Sequence, residues 1–456
     1  MPTRVLVPSG VLGLGFDREA LARGIAAKPD IIAIDGGSTD SGPFSLGEGV
    51  SKYSRAATKS EWRQLMRARA EAGVPLVLGT AGTCGSDSTV DWMAVITREL
   101  AEELGQSVKI AKLYSSQPKE RIAAALREGR VTPLTPAPEI DTGRVLEMTN
   151  IVALAGAEQI QAALATGADI VICGRATDTA TIAALPLQRG DHPGGAWHGA
   201  KIAECGALCS THPTSGVIMV DFDETGFTVE PLAARAACTP HSVSAHMLYE
   251  NADPFLLYEP GGCLDVRRAR YRALDDRRVR VEGSEWNPGP YTVKLEGARI
   301  AGYQTTILAV LRNRHYVANA RDWAEKLTDF LHGEIENRMG LPRGDYHLDF
   351  RLIGLDSALG DLENRAGDPA EVGVLGLVTA ETQEIAAEIG KLINPFVLHY
   401  PLTENEELPT FSFPYSPATT DRGALYEFAL NHVLALEDPM AAFRLEVEEV
   451  GHAELV

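Results

Sequence analysis

The sequence predicts an α/β chain: an N-terminal domain, residues 1–215, built on a doubly wound parallel sheet, followed by a second, α+β domain over residues 216–456. Three observations lead there. Apolar runs and helical patterns alternate with short connections through the first half. The runs themselves, such as IIAI at 31–34, are short and unbroken rather than alternating, as in strands buried on both faces. A chain of 456 residues also exceeds one ordinary core, since domains run to roughly 100–200 residues.

Residues 5–7 read as the first strand, and 8–16 (PSGVLGLGF) as a glycine-rich turn leading to Asp17, an N-cap for the helix REALARGIAA. The turn's spacing is GxxGxG, not the dinucleotide GxGxxG, so a tight turn is favoured over a nucleotide loop, although Asp35 stands near where a ribose-binding acid would. After the strand at 31–34 come Asp35, Gly36, Gly37, Ser38, Thr39 and Asp40. Ser60 caps the next predicted helix, which stops at Gly73. The strand at 75–78 then runs into a second polar loop containing Gly82, Thr83, Gly85 and Asp87.

Helices are expected at 90–104, 119–130 and 157–166, and strands at 108–113, 151–154 and 169–173, with a Pro-rich crossing at 132–143. The strand at 169–173 ends in a third polar loop carrying Arg175 and Asp178. A helix at 196–209 holds His198, Glu204, Cys205 and Cys209; with His212 these tempt a zinc reading, but no second CxxC-type half accompanies them.

From residue 217 the texture changes. A hairpin is expected across 217–231, and Ser242 caps a short helix on which His246 faces Tyr249 and Glu250. The basic run 267–280 reads as a solvated face or an anion-drawing rim. Strands follow at 292–295, 304–311, 347–352 and 374–378, and helices at 323–339, 380–391 and 422–436, with a Pro-rich aromatic segment at 405–420.

A formal charge of −20 disfavours nucleic acid and anionic membranes as partners. The six cysteines are scattered and no signal segment or membrane-length apolar run is read, so a cytoplasmic protein with reduced thiols is expected, and a homo-oligomer on general grounds.

Ligands of α/β sheets bind at the carboxyl ends of the strands, which is where the three polar loops fall. Asp35, Ser38, Thr39 and Asp40 can orient a substrate; amides of Gly82, Thr83 and Gly85 can face an oxyanion; Arg175 can grip a carboxylate in bidentate fashion, with Asp87 and Asp178 alongside. His246 with Glu250 and Asp35 supplies the acid/base chemistry. Alternatively, Asp35, Asp40 and Asp87 hold Mg²⁺ or Mn²⁺ for a hydrolase. The first reading requires no cofactor.

The segments DGGSTDSGP, GTAGTCGSDSTVDW, GADIVICGRATDTA, AWHGAKIAECGAL and TPHSVSAHMLYENADPF together resemble the acyclic terpene utilisation family (AtuA type), over about residues 5–311. The resemblance implies a part in the catabolism of branched or unsaturated acids, often as coenzyme A thioesters, and implies no catalytic residue. The combined expectation is a lyase, hydratase or isomerase acting on a small carboxylic acid or its acyl-CoA thioester. A metal-dependent hydrolase and a non-catalytic small-molecule-binding subunit are the alternatives.

Overall fold

A computed structural model describes residues 2–365 and 367–451 of the chain. Among these residues the protein is a mixed α/β structure in two compact units, one running to Arg299 and resuming at Phe428, the other spanning Ile300–Glu427. The expected boundary at 215/216 falls inside the first unit, because the strands that follow it join the existing sheet.

That sheet has ten strands among the described residues. At its centre lie five parallel strands in the order Thr3–Val7, Ile31–Asp35, Leu76–Gly79, Ile170–Cys173 and Val108–Tyr114. The hairpin Ile218–Phe222 with Gly226–Pro231 extends it antiparallel on one side. Arg444–Val450 closes the other edge, antiparallel to Val108–Tyr114. The sheet is therefore mixed, with its parallel strands at the centre and antiparallel strands on both sides. Alternating side chains along the central strands feed two separate apolar clusters. Val5, Ile31, Val77 and Val171 pack on Ala180, Trp197 and Ala200, whereas Leu6, Ile32, Leu78 and Ile172 pack on Trp62, Met66 and Met93.

The second unit has the succession strand, helix, strand, strand, helix, strand, as in ferredoxin-like split βαβ folds. Its strands stand in the order Tyr346–Ile353, Val372–Ala380, then residues 300–311 of the strand Thr292–Leu311 and 419–427 of the strand Thr419–Ala435. Helices Ala320–Met339 and Gln383–His399 cover one face through Trp323, Leu327, Leu331, Ile389 and Ile393.

Several local expectations change. The helix expected at 422–436 is part of the strand Thr419–Ala435; it begins with β-branched residues, and ladder pairing overrides the helical preference of its Ala, Leu and Glu. The two strands expected at 292–295 and 304–311 are one strand, Thr292–Leu311. The cap assigned to Ser60 belongs to Ser54, and that assigned to Ser242 belongs to Thr239, whose hydroxyl accepts from the Ser242 amide at 3.0 Å. The helix at 196–209 runs Pro193–Ala203 and passes into a 3₁₀ turn, Gly206–Cys209. The basic run is tied into local pairs, Arg267 with Asp265, Arg268 with Glu285, Arg278 with Asp275 and Arg280 with Asp223, which is the solvated-face alternative.

Candidate active site

Asp35 ends a strand whose five residues are all buried, and is itself 6% exposed. The chain can turn there only because Gly36 has no side chain: a Cβ would lie 2.4 Å from the Thr80 carbonyl oxygen, while its amide donates to Gly79 O at 2.7 Å. Gly37, at φ +114°, points its amide back at Asp35 Oδ2, 2.7 Å away. Oδ1 is buried with no hydrogen-bond partner. Burial and the nearby Asp178 push the Asp35 carboxyl well above the usual carboxylate range, against the pull of Arg175.

Arg175 is set by a backbone contact. Its amide donates to Gly85 O at 3.0 Å, and a Cβ on Gly85 would lie 2.1 Å from that nitrogen, so only glycine fits there. The guanidinium is engaged by Glu296: Nε to Oε2 is 3.1 Å and Nη2 to Oε1 is 3.2 Å, with Nη1 3.3 Å from Thr80 Oγ1. Thr39 donates to Glu296 at 3.2 Å and Lys294 approaches it at 3.3 Å. Burial opposes the charge on Glu296, but Arg175 and Lys294 outweigh it and hold the carboxyl at about 2. The bidentate grip foreseen for a substrate is thus made to the protein's own carboxylate.

A second group of buried charges stands beside this pair, centred on Asp178 at the start of helix Asp178–Arg189. Lys201 and Glu204, 3% and 7% exposed, form an ion pair at the end of helix Pro193–Ala203. Burial pushes Glu204 up to about 8, with Lys201 resisting and Asp178 and Glu259 assisting. Glu259 ends the strand Leu256–Glu259; it accepts a short hydrogen bond from Thr179, and its Oε2 is buried without a partner. Burial raises it to about 7, Thr177 and Thr179 oppose, and Asp178 adds to the rise. His246, 6% exposed, has an unpartnered Nε2 and stacks on Tyr249 with ring centroids 5.4 Å apart. Burial, then the charge of Lys201, lowers it to about 4. His246 and Glu259 thus share Lys201 as an electrostatic neighbour and are displaced in opposite directions.

The remaining sequence candidates are placed otherwise. Glu250 lies past the end of helix Pro240–His246, exposed and at φ +50°; the charge that His246 senses is Lys201, so the His246–Glu250 pair is not formed. Asp40 is exposed, lowered by hydrogen bonding from Ser38 and by Lys52, whose Nζ is 3.3 Å away. Within the 79–87 loop, the Thr83 and Gly85 amides donate to Thr80 O and Ala81 O, and Gly82 is packed so that a Cβ would lie 2.7 Å from Thr89. The loop's turns satisfy these amides and leave them unavailable to an oxyanion. Asp87 accepts from the Ser116 amide at 3.0 Å and meets Arg444 at 3.3 Å.

Asp35, Asp40 and Asp87 therefore have separate partners and do not form a cation site, and no cluster of three or more His, Cys, Asp or Glu among the described residues is placed to hold a metal. The glycine-rich turn is also occupied internally: Gly13 donates to Glu61 at 2.7 Å. No helix is long and apolar enough to cross a membrane among the described residues.

Lys201 and Glu259 were not foreseen as site residues, and Glu204 was noted only as lying on its helix. One signal was present: Lys201 and Glu204 are charged residues three apart at the end of a helix whose residues from Gly194 to Ala203 are all buried. Nothing local marks Glu259.

Fold and site together define an α/β protein with buried, partly unsatisfied acid/base side chains at the carboxyl rim of its parallel strands. The family described as Acyclic terpene utilisation family protein AtuA matches residues 51–412, and the chain belongs to it. The match extends past residue 311, where the resemblance was expected to fade, and begins after the Asp35 loop. No curated protein and no solved structure matches the chain.

Proposed function

We propose that the protein is an enzyme that moves a proton at an acyl group, as a lyase, hydratase or isomerase of a small carboxylic acid or its acyl-CoA thioester. One observation carries this reading: His246 and Glu259, both with an unpartnered buried atom, are shifted to about 4 and about 7. At neutral pH the imidazole is uncharged and able to accept a proton, while a large share of Glu259 is protonated and able to donate one. Opposed shifts of this kind assign a base and an acid. Asp35, also raised and with Oδ1 unpartnered, would orient or protonate a substrate oxygen.

Arg175 is already paired with the ionised Glu296, which favours an uncharged acyl carbonyl over a free carboxylate beside it. The test is wash-in of deuterium from D₂O at the carbon next to the carbonyl, across short saturated and unsaturated acids and their coenzyme A thioesters. Exchange with at least one thioester, abolished in His246→Ala, is expected. Exchange with none of them contradicts the reading.

A further inference from the structure

The outer strand of the second unit's sheet, Tyr346–Ile353, pairs with Val372–Ala380 on one side and with no strand on the other among the described residues. Eight residues of open ladder are a template for pairing with another chain. Edges left open in monomers are usually short, proline-bearing or charged all along; this one reads YHLDFRLI.

Its sequence is self-complementary. When a strand pairs antiparallel with its own copy about a two-fold axis, residues equally spaced on either side of the centre face each other. Centred on Phe350, Asp349 meets the copy's Arg351, Arg351 meets its Asp349, and Leu348 meets its Leu352. Both charged positions lie on the face away from the helices, where Arg351 Nε and Asp349 Oδ2 are already 3.1 Å apart within one strand. Pairing would give each charge a second opposite partner. On the helix side, cavities of about 360 and 400 Å³ flank Phe350, which is half-buried in both walls. Beside the strand's end, Ile353, Leu359 and Leu362 are 45%, 53% and 79% exposed. An apolar margin next to an unpaired edge is what an interface leaves visible in one copy.

We infer that the edge strand Tyr346–Ile353 is a homodimer interface, joining two copies of the chain into one continuous sheet with Phe350 at the two-fold axis. The occupant is a second copy rather than a foreign peptide because the complementarity is of the strand with itself.

The test is sedimentation equilibrium of the full chain in dilute salt. The wild type is expected to dimerise. Arg351→Asp and Asp349→Arg each set like charges opposite one another twice and should weaken the dimer at least about tenfold. The double reversal, D349R with R351D, restores opposite signs and should recover most of that loss, and because it also restores the pair within the strand, an unchanged thermal midpoint and near-ultraviolet circular dichroism in the single variants separate lost pairing from lost folding. A monomeric wild type, a dimer unmoved by either single reversal, or a double variant no better than the singles overturns the inference.

Discussion

The two units handle polar groups in opposite ways. In the unit running to Arg299, buried charges accumulate at one rim: Asp35, Arg175, Lys201, Glu204, His246 and Glu296 are all under 9% exposed. In Ile300–Glu427 the one fully buried polar side chain among the described residues is Thr305, and ion pairs such as Arg321–Asp356 and Arg312–Glu371 lie at the surface. Burying a charge is costly unless it is paired, and leaving a buried polar atom without a partner adds to the cost. The first unit carries that cost at the ends of strands, where α/β proteins bind ligands; the second avoids it and is built for packing. The difference concentrates the buried ionisable side chains of the described residues in one of the two units.

Four perturbations test this separation, in descending order of effect. Replacing His246 by Ala or Glu259 by Gln should lower the proton-transfer rate by roughly 10²–10⁴-fold while leaving the thermal midpoint of the second unit in place, as read by the exchange assay and calorimetry. Glu296→Ala strands the Arg175 guanidinium without its carboxylate and should cost about 3–5 kcal/mol in urea denaturation.

His198 is a third case. It is buried against Ser284 and Tyr271 and lowered by burial to about 3. Its folded value is depressed, so its contribution is complete above the unfolded value near 6.5 and is lost as pH falls towards 3. His198→Gln should flatten the acid limb of stability against pH, on the order of a few kcal/mol. The smallest effect belongs to the second unit, where Asp356→Ala removes a partly exposed pair and should change stability by about 0–1 kcal/mol. A loss there as large as that of Glu296→Ala would dissolve the contrast.

Activity should follow the same residues. The base form of His246 is lost below about 4, and the acid form of Glu259 above about 7, giving a bell between those limits. The Glu259→Gln variant should lose the alkaline limb.

Much of the α/β framework was legible because it is local. The buried strands at 31–34, 75–78 and 169–173 announce themselves by unbroken apolar runs, and their polar loops by glycines that only a close backbone approach requires. Asp35 and Arg175 were singled out in this way, and both are buried at strand ends. Their partners were not, since Glu296 lies 121 residues from Arg175 on a strand with no marker for a site. The role given to Arg175 therefore failed on the one fact local reading lacks, which is who already occupies the guanidinium. The His246–Glu250 pair failed for a related reason: four-residue spacing implies a shared helix face, and this helix stops at His246. The strand Thr419–Ala435 was misread because tertiary pairing decides its conformation against its composition.

The central claim is that burial holds Glu259 as a proton donor at neutral pH. Carbon-13 NMR of protein labelled at glutamate side-chain carboxyls measures this directly. A resonance titrating near pH 7 and missing from Glu259→Gln is the predicted result; a Glu259 carboxyl that titrates below about pH 5, together with the exposed glutamates, would contradict the account.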